Sequence, residues 1–146
     1  MTPSEIFRNW FADIWNDKRS DLMTQYIAAH TKFHSVSLDG EPAHGPAGFQ
    51  PLFDTLVAAF PDIKFTVLNV IESGAYAAGH WTATMTHSGE GMGVKATGQK
   101  LEIAGMAILR CADGKAVEVW DQWDRLGLLT RIGAVTPVAQ QLASAG

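Results

Sequence analysis

Residues 113–124, DGKAVEVWDQWD, hold the hairpin from which the rest of the chain can be built outward. Asp113-Gly114 is a dipeptide favoured by tight hairpin turns, where both central residues take positive φ. The residues after the turn alternate. In an uninterrupted strand Val117, Val119, Asp121 and Trp123 share one face, while Glu118, Trp120 and Gln122 share the other. One acid therefore stands in line with apolar side chains.

Period two continues back to residue 63. Candidate strands cover Ile63–Glu72, Ala75–His87, Lys100–Cys111 and Ala116–Trp123, with Ser73-Gly74 separating the first two. Residues 88–99, SGEGMGVKATGQ, are Gly-rich and read as a longer connection. Upstream of Ile63 the period is 3.6. Phe49, Leu52, Phe53, Leu56, Val57 and Phe60 form the apolar stripe of a helix that starts at Gly45-Pro46 and stops at Pro61-Asp62. Thr2-Pro3-Ser4-Glu5 is a capping box with Pro at the first helical position, opening a helix over about residues 3–16. Ile6, Phe7, Trp10, Phe11, Ile14 and Trp15 give it one apolar face. A second short helix carries Leu22, Met23, Tyr26 and Ile27, and residues 32–37 look extended. Asp124 is placed to cap a short final helix containing Leu126, Leu128, Leu129 and Ile132, and the tail 136–146 is expected to fray.

Helices first, then long antiparallel strands, means an α+β fold: one strongly curved sheet with about three N-terminal helices on one face. Such a sheet twists and coils into a cone with one open end, a favourable place for a pocket.

Composition agrees with one domain spanning residues 1–146. Hydrophobic residues make up 47%, enough for a real core and far from the composition of disordered chains. Five Trp and seven Phe exceed what a minimal core needs, so some rings are available to line a cavity. Net charge is −4, and no basic cluster longer than Lys18-Arg19 occurs, which argues against nucleic acid and membrane-surface partners. No apolar run approaches a membrane span, the N-terminus lacks the pattern of a secretory signal, and Cys111 is alone, so the cytoplasm is the expected compartment.

Asp121 is the leading candidate for chemistry. A carboxyl on an apolar concave face loses hydration, its pKa rises, and it becomes a general base or acid usable near neutrality. The structural alternative is an Asp at the sheet rim, solvated or bonded to a backbone amide. His34 and His80 lie on extended segments and could donate to a ligand oxygen, although a surface histidine is the simpler explanation of each. His30 and His34 lack the carboxylate or Cys partners of a metal site. Arg110 and Glu118 suit a structural ion pair, with Glu118 facing away from Asp121.

Three stretches carry a family resemblance: His44-Gly45-Pro46-Ala47-Gly48-Phe49, HWTATMTHSGE (His80–Glu90), and the run from Asp113 through VWDQWDRLGLLTRIG (Val119–Gly133). Over about residues 4–135 the chain resembles the SnoaL-like polyketide cyclase family, within the nuclear-transport-factor-2-like fold. The resemblance implies a conical pocket and an intramolecular aldol ring closure without metal or cofactor. It implies Asp121 as the acid/base, with His34 or His80 assisting, and Trp15, Leu52, Met106 and Trp123 around a flat, apolar, carbonyl-containing and polycyclic ligand. It also implies a homodimer. Two alternatives remain open: an isomerase or epoxide hydrolase on the same fold, the latter needing an Asp–Arg–Asp arrangement for which Arg110 is the available strand arginine, and a non-enzymatic protein that binds a small apolar ligand.

Overall fold

The computed structural model describes residues 1–34 and 41–136. Helix α1 (Pro3–Asn9) continues without a break into wide π-type turns over Trp10–Asn16. A 3₁₀ turn (Ser20–Leu22) and the short α2 (Met23–Tyr26) lead to β1 (Ile27–His34). Then come β2 (Ala43–His44), α3 (Gly45–Ala59), β3 (Lys64–Ser73), β4 (Tyr76–Thr86), β5 (Lys100–Ala112), β6 (Lys115–Trp123) and α4 (Arg125–Arg131).

The strands form one curved six-stranded sheet in the order β2-β1-β6-β5-β4-β3. All neighbouring pairs are antiparallel except β1 with β6, which run parallel. The expected α+β architecture is therefore correct, and the parallel seam is a feature that periodicity did not reveal. The hairpin forms as anticipated, with φ of 52° at Asp113 and 75° at Gly114. Ile27, expected in the second helix, instead opens β1. The expected extension of that strand to residue 37 and the tail beyond 136 fall outside the described residues. No helix among the described residues is long and apolar enough to cross a membrane.

The capping box is present: Thr2 Oγ1 accepts from the Glu5 N–H and the Glu5 carboxylate accepts from the Thr2 N–H. Further along, the helix widens, and the Asp17 N–H reaches back five residues to the Ala12 carbonyl (2.9 Å). Asn16 ends this stretch by accepting from the Phe65 N–H (2.8 Å) and donating to the Phe65 carbonyl (3.0 Å). It thus occupies the open hydrogen-bonding edge of β3 as a further strand would. The helices cover the concave face, where Phe7, Phe11, Ile14 and Trp15 meet Phe49, Phe53, Phe65 and Trp81 in one buried cluster.

Two glycines make room for that cluster. A Cβ on Gly79 would lie 2.3 Å from Phe7 Cζ, and one on Gly105 would lie 2.3 Å from Trp81 Cζ2. The rings therefore lie flat on bare strand backbone instead of standing off it.

Candidate active site

The sheet and helices enclose an apolar cavity on the concave side, with about 70 Å³ of free interior volume. Trp10, Trp15, Leu52, Trp81, Trp123 and Asp121 are among its lining residues. Among the described residues that line it, Asp121 is the one ionisable side chain.

Strand pairing explains how the acid comes to point inward. Leu109, Ala107 and Gly105 of β5 stand opposite Val119, Asp121 and Trp123 of β6, and Leu109 and Ala107 are buried. Ala107 is small, which leaves space above it for the carboxyl group. The alternation proposed from sequence holds from Glu118 onward. It does not include Val117, because Arg110 pairs with Glu118 while Cys111 pairs with Ala116, a bulge that takes Val117 out of step.

Asp121 Oδ1 is buried and has no hydrogen-bond partner. Loss of hydration pushes the carboxyl up to about 7, against the opposing pull of the Arg125 charge and the Gln122 backbone N–H. Arg125 is held close by, its guanidinium carbon 5.6 Å from the centre of the Trp123 ring. Asp124 caps α4, its Oδ1 accepting from the Gly127 N–H at 3.0 Å.

Of the residues expected around a ligand, Trp15, Leu52 and Trp123 line the cavity. Met106, His34 and His80 do not. Met106 is 62% exposed on the convex face, because its neighbours Gly105 and Ala107 point inward. His80 lies on the same outer face, opposite Met106, because Trp81 takes the inward position. His34 is turned outward by the burial of Phe33; it stacks on Trp120 (ring centres 5.1 Å apart) and bonds Glu118 Oε1 through Nε2 at 2.9 Å. Arg110 donates to Glu118 Oε2 at 3.2 Å on this outer face. The His34 hydrogen bond, with help from Arg110, holds the Glu118 carboxyl below its ordinary range. No histidine therefore joins Asp121 in the cavity lining, and Arg110 is committed elsewhere.

Trp81 was not singled out from the sequence. It is 3% exposed, lines the cavity, and its Nε1 is buried without a partner. Its place over Gly105 depends on strand register, which the sequence alone does not supply.

A sequence model of the family described as SnoaL-like polyketide cyclase matches residues 5–132. The chain belongs to that family. Proteins of known structure share its fold. IdmH from Streptomyces antibioticus, a proposed polyketide cyclase, superposes with a TM-score of 0.78 at 26% identity, over 91% of this chain and 99% of its own. AclR from Streptomyces galilaeus, a proposed hydroxylase, gives 0.78 at 28% identity, over 99% of this chain and 92% of its own. A SnoaL-like polyketide cyclase of Jannaschia sp. CCS1 gives 0.78 at 23% identity, over 91% and 92%, a likeness of fold. No curated protein matches the chain.

Proposed function

We propose that this SnoaL-like chain is a cofactor-independent cyclase that closes a ring by intramolecular aldol condensation, with Asp121 as both base and acid. The observation that carries the proposal is the inward Asp121 carboxyl, unpartnered at Oδ1 and pushed up to about 7 in an apolar cavity. As carboxylate, Asp121 takes a proton from a carbon next to a carbonyl. The C–H electron pair becomes the enolate, which forms the new C–C bond at a second carbonyl of the same molecule. The alkoxide produced there receives the proton from Asp121, so the carboxylate returns and no net proton is consumed. One carboxyl serves both steps because its proton affinity lies near the working pH.

The reading as a passive binding protein expects Asp121 exposed or bonded outward with no polar partner in the pocket. The absence of a histidine from the lining, among the described residues, agrees with it, whereas the inward Asp121 favours the cyclase reading. Epoxide hydrolysis would need an Asp–Arg–Asp arrangement around a water. Arg110 is bound to Glu118 on the opposite face, and Arg125, though near Asp121, lies over the Trp123 ring and is not among the cavity-lining residues. The family fold alone does not settle chemistry, as the proposed hydroxylase AclR illustrates.

The free volume constrains the ligand. About 70 Å³ is less than half of the roughly 150 Å³ cavity that accepts benzene in an engineered protein. A flat polycyclic substrate therefore enters only as side chains at the wall, such as the half-buried Trp123, swing aside. The occupant of the outer sheet face is proposed to be a second copy of this chain, since Ile71 (72% exposed), Met106 and Ile108 (46%) present apolar surface there.

The test needs no natural substrate. The protein is incubated with α-deuterated 1-indanone and loss of the label to water is followed, beside turnover of a panel of polyketide methyl esters. Asp121→Asn is expected to slow label loss at least 10²-fold, the lower end for general acid–base catalysis. Equal rates for wild type and variant remove the role given to Asp121.

A further inference from the structure

A second group in the cavity lacks a partner, and it is a donor. Trp81 Nε1–H is buried and unbonded, whereas the large majority of buried polar side-chain atoms have a partner. A donor left in this state is costly to the fold unless something else satisfies it. The ring cannot turn aside to find water. It is flanked by Phe65 (ring centres 5.0 Å apart) and Phe11 (5.8 Å), and beneath it lies the bare backbone of Gly105.

The same geometry says which strand the indole overlies. A Cβ on Gly105 would lie 2.3 Å from Cζ2 and 2.7 Å from Cε2 of the indole, and Cε2 is the atom bonded to Nε1. The indole therefore reaches from β4 across β5 toward β6. Gly105 pairs with both Trp81 and Trp123, and the adjacent inward row is Ala107 with Asp121. Trp81 and Asp121, each with one unpaired polar atom, thus line one apolar cavity from neighbouring rows of the sheet.

We propose that Trp81 Nε1–H is the hydrogen-bond donor to the carbonyl oxygen of the substrate, and that it selects ligands carrying such an oxygen beside an acidic C–H. This deepens the role proposed for Asp121 and rests on it. When Asp121 removes the proton, the C–H electron pair moves toward the carbonyl, and negative charge builds on the oxygen that Trp81 holds. A donor fixed beforehand stabilises that charge more than the neutral ketone. A hydrocarbon of the same shape would leave both polar groups unpaired and is selected against. His34 and His80, on the outer face, supply none of this.

The test uses the full chain as wild type, Trp81→Phe and Asp121→Asn, with 1-indanone and its oxygen-free counterpart indane as probes. A protein carrying 3-benzothienylalanine at position 81, which replaces the N–H by sulfur and keeps the bicycle, repeats the arm with packing intact. Affinities are measured by calorimetry, indole N–H resonances by ¹⁵N-labelled NMR, and turnover by label loss from α-deuterated 1-indanone. In wild type the ketone is expected to bind about tenfold more tightly than indane, worth about 1.4 kcal/mol. The resonance missing from Trp81→Phe should move downfield with 1-indanone and stay near its place with indane. In both position-81 variants the preference disappears while indane affinity persists, and label loss slows by roughly 10²-fold, the low end for losing one such donor. An unmoved Trp81 resonance at saturation, or a preference intact in both variants, overturns the proposal. If label loss still depends on Asp121 in that case, the role of Asp121 stands without Trp81. Binding of neither probe overturns both.

Discussion

Asp121 makes opposite demands on stability and activity. Its folded value, about 7, lies above its ordinary 3.8, so the folded state favours the protonated form. The stability it contributes is full below pH 4 and is lost as pH rises through 7. The gap corresponds to on the order of 4 kcal/mol. Asp121→Asn is therefore expected to melt higher than wild type at pH 8, with the difference shrinking below pH 5. Thermal scans across pH test this, and a constant difference would contradict it. The carboxylate is the form that removes a proton, so label loss from the ketone should rise with pH and level off above about 7. Arg125→Gln removes a charge that lowers the Asp121 value, so the midpoint of that profile should move upward. Much of this residue was legible beforehand, because period two alone set it beside Val119 and Trp123. Met106 and His80 carried equally clear signals that point the other way. Met106 shares its parity with Lys100, Glu102 and Arg110, and His80 shares its own with Thr82 and Thr84, while Trp81 and Met85 hold the opposite one. The polar company of each marks the outer face.

Elements give the rings their places. The helical period of Ile6, Phe7, Trp10 and Phe11 was readable, but the widening after Asn9 was not, since it is tied to Asn16 docking on β3 in three dimensions. Asn16→Ala would leave the Phe65 N–H and carbonyl without these partners. The expected cost is about 1–3 kcal/mol, with faster hydrogen exchange at the Phe65 amide as the local signature. Gly105→Ala places a methyl group inside contact distance of three indole atoms of Trp81. Overpacking of that kind costs about 1–3 kcal/mol. The displaced indole should also lower ketone binding, which denaturant titration and calorimetry would register together. The bulge at Val117 belongs here too. It keeps Ala116 under the helices while leaving Asp121 in its inward row, and nothing in the local pattern of alternation announces it.

For the molecule as a whole, the class of fold followed from the order of periods along the chain, whereas the pairing of β1 with β6 did not. Local pattern specifies strands, and long-range contact decides their neighbours. The convex face carries the apolar side chains that a second copy is proposed to cover, so light scattering should give twice the chain mass. Ile108→Lys should shift it to the monomer without altering label loss from the ketone. The parallel seam has one more effect. β6 joins β5 through a tight turn, but its other edge is completed only by β1, with Lys32 beside Glu118 and Phe33 beside Val119. Until the two ends of the chain meet, Asp121 stays in water as an ordinary carboxylate. At pH about 6 the carboxyls of Asp21, Asp62, Glu72 and Glu118, all held below their usual range, are ionised whether folded or not. Burying Asp121 at that pH should therefore draw hydrogen ion out of the medium. Refolding in a weak buffer with an indicator dye would make the burial of Asp121 visible as a small alkaline drift.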